Sequence, residues 1–206
     1  DSFVSRGLGD VYKRQAVVTS ISGTAADIAT LMSAAEQTAE FTATSFDLIA
    51  ANGLSITGTT IDVTDLNNAI TRANTTSNNT VLAAFASAQG DITVNAGTIT
   101  EFESLLQLET ESKINITGLN LTTTTVNVTQ ANTLTAATTG TVTATVNAGG
   151  VNALTDLSAD GDNNAALSIT ITDNSASAAD LNTINAATTV AVDATAIATI
   201  SSSSLT

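Results

Sequence analysis

Two spacings of apolar residues alternate along this chain. Short stretches such as "LSIT" (54–57), "DITV" (91–94) and "TVTATV" (141–146) place apolar residues at every second position. That is the period of a strand with one buried side, and the Thr, Val and Ile content agrees with it. The same reading predicts strands at 17–21, 114–117, 167–172 and 194–200. Between these stretches the apolar spacing lengthens to three or four, the period of an amphipathic helix. Five helix starts share one pattern: "TAADIATL" (24–31), "DVTDLNNA" (62–69), "TITEFESL" (98–105), "NVTQANTL" (127–134) and "SAADLNTI" (177–184).

Each of the five pairs a Ser, Thr, Asp or Asn with an acid or amide three residues on: Thr24 with Asp27, Asp62 with Asp65, Thr98 with Glu101, Asn127 with Gln130, Ser177 with Asp180. The first residue accepts from an unpaired N–H of the opening turn, and the second reaches back to the cap. The acids also lie where the helix dipole favours negative charge. Looser copies begin at 44–51, 78–85, 147–154 and 201–206, so nine starts span residues 24 to 201 at a mean spacing of about 22. Independently, "TLTAATTGTVTAT" (133–145) overlays "TINAATTVAVDAT" (183–195) at an offset of fifty.

A unit of that length cannot bury an apolar face alone, so neighbours must stack. The expected fold is therefore mainly β with short helices. It is a single-stack solenoid of about 20–25-residue coils, each a parallel strand, a turn and a short capped helix. The long loops fall near 108–120 and 155–166. Neither the leucine-rich-repeat consensus nor the glycine-rich nonapeptide of calcium-binding β-rolls is present.

Composition removes several functions. The chain has 19 acids, five Lys or Arg, a formal net charge of −14, and no His, Cys, Pro or Trp. Such a surface repels nucleic acid and anionic membranes, and no apolar run approaches a membrane span. Without Cys or His there is no thiol nucleophile, disulfide or Cys/His zinc site, and the usual general base near neutral pH is missing.

Three of the five bases, Arg6, Lys13 and Arg14, lie in "DSFVSRGLGDVYKRQ" (1–15), which joins no repeat. That stretch resembles translated library-adapter sequence from environmental sequencing, which implies a non-native leader over 1–15. Residues 16–206 are then one repeat solenoid, cut within a unit at its C-terminus. "VVTSISGTAADIATL" (17–31) and "SAADLNTINAATTVAVDATAIATISSSSLT" (177–206) resemble repeats of very large extracellular proteins of marine cyanobacteria and related aquatic bacteria. The resemblance implies a secreted or cell-surface protein with roles in surface layers, motility or adhesion, and carries no catalytic residues.

The expected function is thus a non-enzymatic structural segment, a stiff acidic spacer or adhesin stalk. Its partners would be flanking repeats or domains of the parent protein and surface glycans, with no nucleic acid and no membrane insertion. A calcium- or glycan-binding adhesin module and a polysaccharide-active β-solenoid enzyme are the alternatives. No cofactor is implied except calcium, whose candidate loop is "DLSADGDNNAAL" (156–167). Asp156, Ser158, Asp160, Asp162 and Asn164 take odd-numbered ligand positions of an EF-hand-type loop, with Gly161 at the turn, but the bidentate acid of position 12 is replaced by Leu167. Two carboxylate pairs, Glu101 with Glu103 and Glu109 with Glu111, have acid–base spacing but read as helix and loop residues. The threonine runs at 122–125 and 141–145 read as strand formers with hydroxyl pairs across strands.

Overall fold

The structure is a computed structural model that describes residues 21–35, 54–73, 83–85, 92–96, 98–111 and 114–202. In chain order the described elements are β1 (Ile21–Thr24), α1 (Ala25–Ala35), β2 (Leu54–Thr57), β3 (Thr60–Asp62), α2 (Val63–Ala73), β4 (Ala83–Phe85), β5 (Thr93–Asn95) and α3 (Ile99–Thr110). They continue with β6 (Asn120–Val126), α4 (Val128–Ala137), β7 (Val142–Val146), α5 (Val151–Leu154), β8 (Ala165–Ser168), β9 (Ser175–Ser177), α6 (Ala178–Asn185) and β10 (Thr199–Ser201). The fold is mixed α/β, built on a five-stranded sheet of order β3-β5-β6-β7-β8 in which every pairing is parallel. Two smaller parallel sheets, β1-β2-β4 and β9-β10, accompany it.

A side chain repeats its place from strand to strand. Ile61, Val94, Leu121, Val142 and Ala165 are register partners in series, and all five are buried. Their neighbours Asp62, Asn95, Thr122 and Thr143 form the next rank outward and are exposed or half-buried. Alternation along each strand thus becomes an apolar column inside and a polar rank outside. Burying one such Ile, Leu or Val is worth about 2 kcal/mol. Helices add their own stripes: Val63, Leu66, Ala69 and Ile70 on α2, and Phe102, Leu105 and Leu108 on α3, are buried at spacings of three and four. Consecutive helices α1, α2 and α3 pack on one another, as do α5 and α6.

The five expected helix starts all cap helices, but the reciprocal bond depends on side-chain length. Gln130 Oε1 and Glu101 Oε2 reach the cap's backbone N–H, at Asn127 (3.0 Å) and Thr98 (2.8 Å). Asp27 and Asp180 are one methylene shorter and accept the cap hydroxyl instead, from Thr24 and Ser177, both at 2.7 Å.

Coil length departs from the expected period in the first half. The steps from Ile61 to Val94 and from Val94 to Leu121 are longer than those from Leu121 to Val142 and from Val142 to Ala165. One cause is helix length: α2 and α3 have 11 and 12 residues, against four in α5. Another is that 83–85, counted as part of a helix start, is strand β4. The second sheet takes a strand from the same pass as the first, with Gly58 turning the chain between β2 and β3 at φ +116°, a conformation open to glycine. The start expected at 147 moves to Gly150. The stretch 114–117 contributes a single bridge, while 120–126 is the longest strand. The leader 1–15 and the start at 44–51 lie outside the described residues, as does 201–206 beyond Ser202.

Candidate functional site

The loop between α5 and β8 holds the candidate ligands, and the structure turns most of them toward the protein. Asp160 is half-buried; its Oδ1 accepts from Asn164 N–H at 2.9 Å and its Oδ2 from Ala165 N–H at 3.0 Å. Asn164 is buried, and its Nδ2 donates to the Thr138 carbonyl at 2.6 Å. The Ser158 N–H donates to Asn132 Oδ1 (2.8 Å), and Asn132 Nδ2 donates to the Asp156 carbonyl (2.9 Å), tying the loop to α4. Asp156 and Asp162 are exposed, while Leu167, at the position of the missing acid, is a buried residue of β8. Asn163 takes a left-handed φ of 53°, which Asn tolerates better than most residues. A cleft of about 210 Å³ beside the loop is lined by Asp160, Asp162, Asn164, Asn132 and Thr135. No cluster of three or more His, Cys, Asp or Glu occurs among the described residues.

Asn164 belongs to a series that periodicity did not predict. At the corner entering each strand, one polar side chain reaches back to the strand before. Thr138 is buried; its hydroxyl donates to the Leu119 carbonyl (2.7 Å) and accepts from Gly118 N–H (3.1 Å) and Gly140 N–H (2.9 Å). Thr188 donates to the Leu167 carbonyl (2.7 Å) and accepts from Leu167 N–H (3.0 Å) and Val190 N–H (3.1 Å). Between them, Asn164 clasps the strand-entry corner of β7. Thr138 and Thr188 are separated by the same offset at which the two segments overlay, so the signal was in the sequence although its cause was not.

A second series runs along the helices. Asn67 and Asn132 each lie five residues beyond their cap, Asp62 or Asn127. Asn67 Nδ2 donates to the Glu101 carbonyl at the start of α3 (3.1 Å), and Asn132 holds the 156–158 turn. A third device replaces the absent cap of α5. Asp173, from the following pass, accepts from Val151 N–H at 2.8 Å, and a Cβ on Gly150 would meet both of its oxygens at 3.1 Å.

The carboxylate pairs do not converge. Glu101 and Glu103 are two apart on α3, which places them on opposite sides of the helix. Glu109 accepts from Ile116 N–H at 3.3 Å, and partial burial pushes its carboxyl above the usual range; Glu111 accepts from Gln107 Nε2 at 3.0 Å. At the corner before β10, the Thr195 hydroxyl and N–H both donate to Asp193 Oδ1 and hold that carboxyl below the usual range. A cleft of about 480 Å³ between α5 and β10 includes Asp173 and Asp180, both engaged in capping. The threonine ranks are broken by Asp62, Asn95 and Ala166, and Asn120 turns its Oδ1 to Thr141 N–H (2.8 Å).

The described residues therefore define a mixed α/β protein with a parallel sheet and repeated strand-to-strand clasps. No helix among them is long and apolar enough to cross a membrane. No protein-family profile, no curated protein and no solved structure matches this chain.

Proposed function

We propose that this chain is a non-enzymatic structural segment whose coils stack into a solenoid and act as a stiff, acidic spacer. The observation that carries the reading is the corner series, in which Thr138, Asn164 and Thr188 each fasten one strand to its predecessor. Interactions that repeat between neighbours along the stack are what a quasi-one-dimensional protein needs. The polar residues of greatest structural consequence face the chain itself, which favours a load-carrying role over turnover. The acidic surface and the resemblance of 17–31 and 177–206 to bacterial surface-protein repeats favour a role outside the cell, in a stalk or surface layer.

The test is to duplicate one coil. Residues 142–164 run from one register position to the residue before its partner, Ala165, so a second copy inserts one rung. A stacked array accepts it, unfolds cooperatively at a higher temperature, and lengthens by about 4.8 Å. Loss of cooperative unfolding in the duplicated chain removes the stacking reading. Turnover on any member of a polysaccharide panel removes the non-enzymatic one.

A further inference from the structure

The outer surface at β10 is built like an interior one. Ile200 pairs with Ala176, a buried residue, yet it is 61% exposed. Strand β10 is paired on one side alone among the described residues, through β9. Thr199 N–H donates to the Asn174 carbonyl, so by alternation the N–H and carbonyl of Ile200 face the open edge. Residues 199–202, "TISS", contain none of the Lys or Pro that normally protect such an edge. Above it, Asn182 lies five residues beyond its cap Ser177, the place held by Asn67 and Asn132. Its exposed amide has no hydrogen-bond partner among the described residues.

Strand, inward apolar residue and helix asparagine are the three things one pass of this chain presents to the next. We propose that this surface docks a second copy of the chain, head to tail, through strand β1 and helix α1. This rests on the stacked-coil reading above. Among the described residues β1 pairs only with β2, leaving its other edge open, and it leads into a capped helix as β9 does. Set on β10 in the common strand direction, β1 continues the parallel ladder. Asn182 then meets the main-chain carbonyl of Asp27, the third residue of α1, as Asn67 meets that of Glu101, the third residue of α3. Such a contact joins different surfaces and does not close, so it propagates as a filament. Two chains of net charge −14 repel, and the association strengthens as salt is added.

Sedimentation velocity of the full chain over a wide concentration range tests this. The expected result is stepwise growth by whole chains, abolished by Ile200→Lys and by Ile200→Pro, which deletes the outward N–H. Asn182→Ala weakens it about fivefold, the loss of one hydrogen bond. A mixture of Ser201→Cys and Ser22→Cys chains is expected to form dimers with a short thiol cross-linker. Self-linking of Ser201→Cys alone marks a closed, antiparallel pair and overturns the proposal. So does a single-chain mass at every concentration, or growth that both Ile200 variants leave intact. Coil duplication separates the two ideas: a chain that accepts the extra rung yet never associates retains the stack and loses the docking.

Discussion

Two buried threonines allow the same substitution to be read with opposite signs. Thr138 is 4% exposed and its hydroxyl makes three hydrogen bonds to backbone groups. Thr123 is 7% exposed and its hydroxyl has no partner among the described residues. Thr123 owes its place to the register shift between Thr122 and Thr125, which turns it inward. Valine matches threonine in shape, so Thr→Val exchanges a hydroxyl for a methyl with little else changed. At 138 it deletes three bonds of about 1 kcal/mol each and recovers roughly 0.8 kcal/mol from the added methyl, a net loss of roughly 2–3 kcal/mol. At 123 it removes a desolvated, unpaired hydroxyl and buries a methyl, a gain of about 1 kcal/mol. Denaturant titration of the two variants and of Thr139→Val, an exposed control, provides the comparison. In thermal unfolding Thr138→Val lowers Tm by roughly 5–10 °C. The clasp assignment is refuted if both buried variants move stability in one direction. It is refuted equally if Thr138→Val costs no more than a surface change, about 0.5 kcal/mol.

Other substitutions follow from the same contacts. Gly140→Ala places a Cβ 2.3 Å from the Leu119 carbonyl oxygen, so it should destabilise by more than about 3 kcal/mol, read from the urea midpoint. Asp173→Ala leaves Val151 N–H without its cap and should cost about 1 kcal/mol, and the same titration checks it. Asp160→Ala should lower Tm because two backbone N–H groups lose their acceptor, whereas a chelator should leave Tm unchanged; a chelator-induced drop contradicts the structural role given to this loop. Glu109 has a raised pKa in the folded state, so its ionisation opposes folding. Its penalty is absent below the ordinary glutamate range, grows as pH rises through that range, and is constant above the raised value. Glu109→Gln, which keeps an acceptor for Ile116 N–H, should therefore raise Tm at neutral pH and leave it unchanged in acid.

Local chemistry was legible wherever the deciding atoms were close in sequence. A cap and its partner three residues on are brought together by the first helical turn itself, so Thr24–Asp27, Thr98–Glu101, Asn127–Gln130 and Ser177–Asp180 could be read without a fold. Strands β2 and β7 were legible for the same reason: alternation and β-branching are properties of the segment. The candidate calcium loop was legible as a loop, but which of its polar side chains turn inward was not. Asp160 could as well have faced a cation as the amides of Asn164 and Ala165, since the choice depends on where β8 begins.

What the amino-acid sequence determined by itself is the set of local elements: five capped helices, short β-branched strands, an acidic surface, and the absence of the side chains most catalysis uses. Which strand lies beside which was decided only in the tertiary structure. Parallel partners such as Leu121 with Val142, or Ile61 with Val94, lie a whole coil apart, and no local preference reports on a neighbour at that distance. Hence "NIT" at 115–117 is strand-like in composition but unpaired, whereas "LTTTTV" at 121–126 finds partners on both sides. The clasps of Thr138, Asn164 and Thr188, and the borrowed cap of Asp173, exist for the same physical reason. A short polar side chain gains a partner only when stacking carries a distant backbone group to within hydrogen-bonding reach of it.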